Sequence, residues 1–250
     1  MALTARAVAV AELRAGRTAL TTLRSQVPLR LRETCDGVTV VASAFGPLGG
    51  DSTRLELLVG RDAQLSVGSA AAQVAQPGVR DPVSHAEVRI VVGQGADLRW
   101  QPEPLVVTDG AEHRLALDVD VEPSSTVVLA ETAVLGRTPG RPGRYRSSWR
   151  VRCAGRPLLS CDLDVGPGAP TGWDGPAVTG PARVLVTALV TGPRLPPDDV
   201  PAGGGEVLRL AGPGVLFTWL GDDPVAGARA LRAFLPTDQR VPEPVTPRAG

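Results

Sequence analysis

The stretch VGRDAQLSV (Val59–Val67) decides the fold, because it reads as a strand, a tight turn and a second strand. The same order returns in VGQGADLRW (Val92–Trp100) and in VEPSSTVVLAE (Val121–Glu131), with starts 33 and then 29 residues apart. A repeating unit of this length predicts stacked layers of one supersecondary motif. We therefore predict an all-β fold, either a distorted β-helix-like or a two-sheet stacked architecture, with one or two short helices.

Further segments on both sides of this repeat carry strand-like patterns. Apolar and polar residues alternate in several of them, as they do in half-buried strands, and glycine, proline and aspartate mark the junctions. The predicted strands are Leu55–Gly60, Ala63–Ser69, Ala86–Gly93, Ala96–Trp100, Arg114–Glu122, Thr126–Gly136, Ser147–Gly155 and Ala182–Gly192. Residues 69–76 (SAAAQVAQ) fit either a short helix or a continued strand.

One helix has clear start signals, at residues 222–235. Asp222 and Asp223 offer capping oxygens, Pro224 suits the first helical position, and apolar residues then follow at helical spacing. We expect residues 191–205, rich in proline and glycine, to form a flexible loop, and residues 241–250 to be a disordered tail. No second domain is indicated, so residues 1–250 are predicted to form one β domain.

Composition excludes several classes of function. The 26 cationic residues are all arginine and balance 26 acidic residues, so no global positive field favours nucleic acid. No run of 18 apolar residues is present, so no membrane span is expected. Three cysteines without a Cys-x-x-Cys pair suit a reducing compartment, and a cytoplasmic protein is expected.

The glycine-rich stretch FGPLGGDSTRLELLVG (Phe45–Gly60) resembles a phosphate loop only superficially. A Walker loop needs a lysine that reaches the phosphates, whereas Asp51 stands near that position and the chain has no lysine. Gly46, Gly49 and Gly50 are therefore predicted to form a structural turn between strands. Asp51 either caps this turn or faces a ligand.

The sequence gives little support to the hypotheses of a catalytic site or of a permanent metal site. A hydrolase would have to pair Cys153 or Cys161 with one of two histidines, and buried, inert cysteine is the competing interpretation. The segment TDGAEH places Asp109, Glu112 and His113 within five residues, which suits a weak, transient nickel site or else a polar turn.

Five segments together carry a resemblance to a known family. They cover about residues 20–166 in one order and spacing: TTLRSQVPLRLRET (21–34), GPLGGDSTRLELLVG (46–60), AQLSVGSAAAQVAQPG (63–78), GADLRWQPEPLVVTDGAEH (95–113) and ETAVLGRTPGRPGRYRSSWRVRCAGRPLLSCDLDVG (131–166). In these segments the chain resembles the urease accessory protein D family (UreD, or UreH) in its actinobacterial form.

The resemblance implies a non-catalytic, β-helix-like scaffold with no tightly bound cofactor. It implies that the protein binds urease apoprotein and, with accessory proteins F and G, guides a transient nickel ion into urease. The G protein is a GTPase that the F protein bridges to the complex. The alternative function is a stand-alone β-rich module that binds a small acidic or sugar ligand.

Two groups of residues become candidates on this basis. Acidic and imidazole groups beside the matched turns are candidates for a polar ion path, unless they are merely turn caps: Asp51, Glu103, Asp109, Glu112, His113 and Glu131. Four arginines in GRTPGRPGRYR are candidates for docking to acidic groups of a partner, unless they form a solvated loop: Arg137, Arg141, Arg144 and Arg146.

Overall fold

The computed structural model describes residues 2–35, 37–137, 140–193, 195–196, 199 and 203–236. Within them the chain forms two β-sheets and one helix, α1 (Pro224–Phe234). The predicted loop at 191–205 lies partly outside the described residues, and the predicted tail at 241–250 lies wholly outside them.

The first sheet, sheet A, has seven strands, which are parallel in its centre. In spatial order they are β14 (Arg156–Val165), β13 (Arg144–Cys153), β11 (Glu112–Val121), β8 (Val83–Val92), β5 (Ser52–Val59), β1 (Thr4–Arg14) and β2 (Arg17–Ser25). The ladders from β1 through β5, β8 and β11 to β13 are all parallel, and the two edge strands pair in antiparallel fashion.

The second sheet, sheet B, has ten strands, of which eight form a main path and two form a short branch beside it. Its main path runs β16 (Glu206–Arg209), β17 (Gly214–Gly221), β15 (Val184–Thr191), β12 (Thr126–Leu135), β9 (Asp97–Gln101), β6 (Gln64–Ser69), β4 (Gly37–Ala42) and β3 (Leu29–Thr34). Two short strands lie off this path, β7 (Gln73–Ala75) and β10 (Leu105–Val107), and β10 pairs with both β7 and β12.

The sequence repeat corresponds to the rungs of a β-solenoid-like stack. Val59 pairs with Val92 and Val92 with Val121 in sheet A, while Gln64, Asp97 and Thr126 are aligned in sheet B. The 33- and 29-residue periods are therefore the lengths of two successive turns of the chain around the stack. The predicted all-β, two-sheet stacked fold is confirmed.

The eight predicted strands are all present, with boundaries shifted by up to three residues. Residues 69–76 form neither a helix nor one continuous strand: β6 ends at Ser69, residues 70–72 lie outside the strands, and the separate strand β7 occupies Gln73–Ala75. The helix begins as predicted: Asp223 is the N-cap, its Oδ1 accepts the Val225 N–H at 2.8 Å, and Pro224 opens the helix.

The main apolar core lies between the two sheets. Leu57 and Ile90 of sheet A meet Leu98 and Leu129 of sheet B, and all four side chains are buried. A second apolar cluster lies on the outer side of sheet B, where α1 covers β15 and β17. Sheet B is thus buried on both faces over β15 and β17, so its strands there are apolar at nearly every position.

Candidate functional site

The candidate site lies at a corner of the stack where the strand ladders of sheet B are interrupted. Between β9 and β10 the chain reads Pro102–Glu103–Pro104, and proline has no N–H to donate to a neighbouring strand. The opposing residues of β12, Ala130 to Thr132, pair with neither β9 nor β10. The corner is held instead by the Glu103 N–H, which donates to Ser69 Oγ at 2.8 Å.

A cavity of about 140 Å³ lies behind this corner, between the inner faces of the two sheets. Sheet A contributes Leu55, Ala86 and His113, and sheet B contributes Trp100 and Glu131. The cavity reaches the surface beside Phe45, whose side chain lines it and is 92% exposed. Four of the six predicted path residues border this cavity: Asp51, Glu103, His113 and Glu131.

Glu131 provides a buried carboxylate in the cavity wall. Its residue is only 7% exposed, and its Oε2 accepts hydrogen bonds from Ser147 Oγ and Trp149 Nε1, each at 2.9 Å. Burial raises the pKa of Glu131, while these donors and Tyr145 act in the opposite direction. A carboxylate held in this way gains when a cation approaches, because the cation offsets the cost of burying the charge.

His113 provides a buried imidazole on the opposite wall. Its Nδ1 lies 2.9 Å from Ser84 Oγ, and its ring stacks on Tyr145 with the centroids 6.2 Å apart. Burial, with a smaller contribution from His85, lowers the pKa of His113 from 6.5 to about 4. The ring is therefore neutral at pH 7, which is the form that binds metal ions.

The lowered pKa of His113 predicts a loss of stability in mild acid. Between pH 6.5 and about 4 the unfolded chain takes up a proton that the folded chain excludes, so stability falls as pH falls through this window. Over the whole window the free energy of unfolding falls by about 3 kcal/mol, which follows from the size of the pKa shift of His113. We expect His113→Asn to remove this part of the pH dependence, measured by urea unfolding at several pH values. An identical pH profile in the variant would contradict the assignment.

Asp51 caps the glycine-rich turn and also borders the cavity. It is 3% exposed, and its two carboxylate oxygens accept the Leu3 N–H at 2.8 Å and the Leu48 N–H at 2.9 Å. The two alternatives predicted for this residue are thus compatible. Gly46 and Gly50, with φ values of +153° and +92°, give the turn its backbone path.

This capping role predicts different outcomes for two substitutions of Asp51. Asp51→Ala leaves the Leu3 and Leu48 N–H groups without acceptors, and we expect a loss of about 2–3 kcal/mol in the free energy of unfolding. Asp51→Asn keeps one oxygen acceptor and is expected to lose about half as much. Urea unfolding of both variants measures the difference, and equal stabilities would rule out the cap.

The structure does not bring Asp109, Glu112 and His113 together. Adjacent residues on a strand point to opposite faces, so His113 faces the cavity whereas Glu112 lies on the outer face of sheet A. There the Glu112 carboxylate pairs with Arg114 Nε at 2.6 Å, while Asp109 lies exposed in a turn. Over the described ranges of the chain, no three His, Cys, Asp or Glu side chains are grouped to hold a metal ion.

The four predicted docking arginines fall into two pairs. Arg144 donates from Nε and Nη2 to both oxygens of Asp164, at 2.9 and 2.8 Å, and Arg146 Nε lies 3.3 Å from the same carboxylate. Arg137 and Arg141 are exposed, and neither forms an ion pair with another described residue. The second pair is therefore the one that has its charge available to a partner.

Cys153 and Cys161 do not have the properties of a catalytic cysteine. Burial is the main cause that raises the pKa of both Cys153 and Cys161, which disfavours the thiolate. Reactive cysteines need the opposite shift. The structure therefore gives no support to a cysteine hydrolase.

Sequence reasoning missed the polar residues that hold the cavity groups in place. Ser84 contacts His113, while Tyr145, Ser147 and Trp149 contact or face Glu131. A signal was present on β13, where Tyr145, Ser147, Trp149 and Val151 alternate with Arg146, Arg150 and Arg152. That alternation identifies the inner face, although it does not identify what the inner residues contact.

The fold and site together define a class of protein: a β-solenoid-like scaffold with an acidic cavity between its sheets. The sequence profile described as UreD urease accessory protein matches residues 4–235. The chain belongs to this family. No helix among the described residues is both long and apolar enough to cross a membrane.

Proteins from actinobacteria are similar in sequence to this chain over most of their length. The Urease accessory protein UreD of Streptomyces avermitilis is 40% identical over 89% of this chain and 86% of its own. The Urease accessory protein UreD 3 of Streptomyces griseus is 40% identical over 87% and 88% of the two chains. That of Streptomyces coelicolor is 36% identical over 88% and 90%.

Proposed function

We propose that this protein is a non-catalytic urease maturation factor that passes a nickel ion through the cavity between its sheets. The observation that carries the proposal is the convergence of Asp51, Glu103, His113 and Glu131 on this cavity. Nickel is the cargo here and not a resident cofactor. The names of the relatives, which are urease accessory proteins, support urease as the destination.

The charges of the cavity favour a cation. All 26 cationic residues of the chain are arginines, and none of them is among the described residues that line the cavity. Asp51, Glu103 and Glu131 supply carboxylates there, and the neutral imidazole of His113 adds a nitrogen ligand. Oxygen and imidazole ligands suit a divalent nickel ion. The same carboxylates disfavour the alternative of a small acidic ligand, since like charges repel at short range.

The arrangement also favours transient binding over storage. The Asp51 oxygens already accept two backbone N–H groups, and Glu131 Oε2 already accepts two side-chain donors. The carboxylate oxygens of Asp51 and Glu131 therefore have fewer lone pairs left to bind a cation. A cation that moves along the cavity accordingly makes a series of weak contacts. Glu103 is exposed at the corner while Glu131 and His113 are buried, so these contacts extend from the surface inwards.

Partners and location form part of the same proposal. We expect the protein to act in the cytoplasm, bound to urease apoprotein and to accessory protein F, with accessory protein G joined through F. Free thiols at Cys153 and Cys161 suit a reducing compartment. The acidic entrance at Glu103 and the exposed Phe45 beside it would receive the ion from the neighbouring protein.

Urease maturation in cells that lack their own UreD-family protein tests the proposal. We expect this chain to restore urease activity at limiting nickel, and Glu103→Ala, His113→Ala and Asp51→Asn each to restore less. Asp109→Ala serves as the control, since its side chain lies outside the cavity. Full activity from all three cavity variants would refute the passage.

Arg137 and Arg141 provide a separate prediction about docking. Reversing both exposed charges (Arg137→Glu with Arg141→Glu) is expected to reduce co-purification with the urease complex on the order of tenfold, because favourable contacts with acidic groups become repulsive. The matched control is Arg17→Glu with Arg24→Glu, two exposed arginines of β2. Equal recovery of the complex with both double variants would show that Arg137 and Arg141 do not contribute to docking.

A further inference from the structure

Three loops of the chain border the mouth of the cavity. Residues 26–28 join β2 to β3, residues 43–51 join β4 to β5, and residues 102–104 join β9 to β10. The first two loops are tied together at Pro28, because its carbonyl oxygen accepts hydrogen bonds from the Ser43 N–H at 2.9 Å and from Ser43 Oγ at 3.2 Å. Each loop contributes residues to the cavity lining, so the three form one surface around the opening.

Strand β7 fixes the second of these loops beside the third. The Gln73 N–H donates to the Pro104 carbonyl oxygen at 3.0 Å, and the Val74 N–H donates to the Gly46 carbonyl oxygen at 3.4 Å. A surface that is already held in place by its own hydrogen bonds loses little conformational freedom when another molecule binds to it. The loops around the mouth are therefore preorganised for contact with a partner.

The side chains around the opening form an apolar collar that water can reach. Phe45 is 92% exposed and Val27 is 51% exposed, whereas every other Phe, Trp and Tyr side chain of the chain is buried or half-buried. Single exposed apolar residues are common on proteins, but a group of them around a cavity marks a site of interaction. The collar consists of Val27, Pro28, Ala44, Phe45, Pro47 and Pro102.

The three loops that carry the collar have little charge. They contain no arginine, Asp51 is buried as the turn cap, and Glu103 is their exposed carboxylate. A hydrated cation that enters from water gains nothing from apolar side chains. A protein surface packed on the collar gains from burying them, and it excludes water, which strengthens the attraction between a cation and Glu103. The collar therefore matches an uncharged, apolar protein surface.

We propose that the collar is the docking surface for the protein that supplies the cation, and that this protein receives the Phe45 ring in an apolar pocket. The inference rests on the proposed passage of nickel through the cavity, which requires the supplying protein to lie over Glu103. Aromatic side chains that fill a partner's pocket carry much of the binding energy of an interface. The loop with Arg137 and Arg141 is a separate contact, because it depends on charge.

Binding of the full chain to purified accessory protein F tests the docking surface, since the proposed function places that protein between this chain and accessory protein G. We expect Phe45→Ser to raise the Kd on the order of tenfold or more, and Phe45→Leu to retain most of the affinity because it keeps an apolar anchor. Leu208→Ser is the matched control. Leu208 is 59% exposed on β16, at the opposite edge of sheet B from β3, and its substitution is expected to leave the Kd unchanged.

Two other occupants of the collar are outcomes of the same test. Sedimentation velocity of the isolated chain is expected to show a monomer, and a dimer that Phe45→Ser dissociates would assign the collar to a second copy. Vesicles of phosphatidylcholine and phosphatidylglycerol are expected not to bind, and binding that Phe45→Ser abolishes would assign it to a membrane. Either result would overturn the proposal, as would an unchanged Kd for Phe45→Ser or an equal loss in Leu208→Ser.

Urease activation at limiting nickel separates failure of the docking surface from failure of the passage. If Phe45→Ser binds accessory protein F normally and supports full activation while His113→Ala does not, the passage stands and the docking proposal is overturned. If Phe45→Ser loses accessory protein F while His113→Ala supports full activation, docking at the collar is supported and the passage is wrong. Because the Phe45 side chain lies in water, Phe45→Ser is expected to keep the Tm of the unaltered chain.

Discussion

Glu131→Gln is expected to reduce urease activation at limiting nickel on the order of tenfold or more, while the protein remains folded. Glutamine has the same shape, and its oxygen can still accept from Ser147 and Trp149, so the packing around this position is kept. It lacks the negative charge that draws a cation to the buried end of the cavity. The readout is urease activity in complemented cells over a series of nickel concentrations.

Glu112→Gln is the matched control for this substitution. Glu112 carries the same carboxylate on β11, but on the outer face of sheet A, where it pairs with Arg114. We expect full activation from this variant at every nickel concentration. A loss in Glu112→Gln equal to that in Glu131→Gln would mean that the outer carboxylates, and not the cavity, serve the ion.

Gly49→Ala is expected to destabilise the protein by about 3 kcal/mol or more. A Cβ at Gly49 would lie 1.8 Å from the Asp81 carbonyl oxygen and 2.5 Å from the Gly78 nitrogen. Both are backbone atoms, so no side chain can rotate away to make room. Because this turn also positions Asp51, we expect urease activation to fall together with stability.

Urea unfolding measures this effect against Gly60→Ala. The nearest atom to a Cβ at Gly60 is the Ala11 carbonyl oxygen at 3.4 Å, an ordinary contact distance. We expect Gly60→Ala to change the free energy of unfolding by less than about 1 kcal/mol. Similar stability losses for the two variants would show that the close approach at Gly49 is not the cause.

The rungs of the stack could be predicted from sequence because each rung repeats a local pattern. The repeat at Val59, Val92 and Val121 corresponds to residues that pair directly in sheet A. β1 to β4 were not predicted, although β1 pairs with β2 and β3 with β4 as antiparallel neighbours in sequence. β2 and β3 are edge strands whose residues are mostly exposed or half-buried, and a clear alternation of apolar and polar residues is absent from β2 and short in β3. The buried residues of β1 are alanines, which have a low β propensity.

The candidate site was only partly predictable from the sequence. The boundary of one strand explains why Glu112 and His113 were predicted to lie together whereas the structure separates them. The predicted strand began at Arg114, whereas β11 begins at Glu112. Extending the alternation by two residues separates Glu112 from His113, which is what the structure shows. The cavity itself depends on how Pro102 and Pro104 interrupt the ladder beside β12, a tertiary effect that no single segment reveals.

Nickel bound to urease, measured after maturation with a blocked cavity, tests the central claim most directly. Ala86 lines the cavity from β8, so Ala86→Phe narrows the passage without altering any charge, and Ala86→Ser is the control. Both variants should co-purify with the urease complex and show similar Tm values. A passage through the cavity predicts that urease matured with Ala86→Phe holds far less nickel than urease matured with Ala86→Ser. Equal nickel content in the two preparations would contradict it.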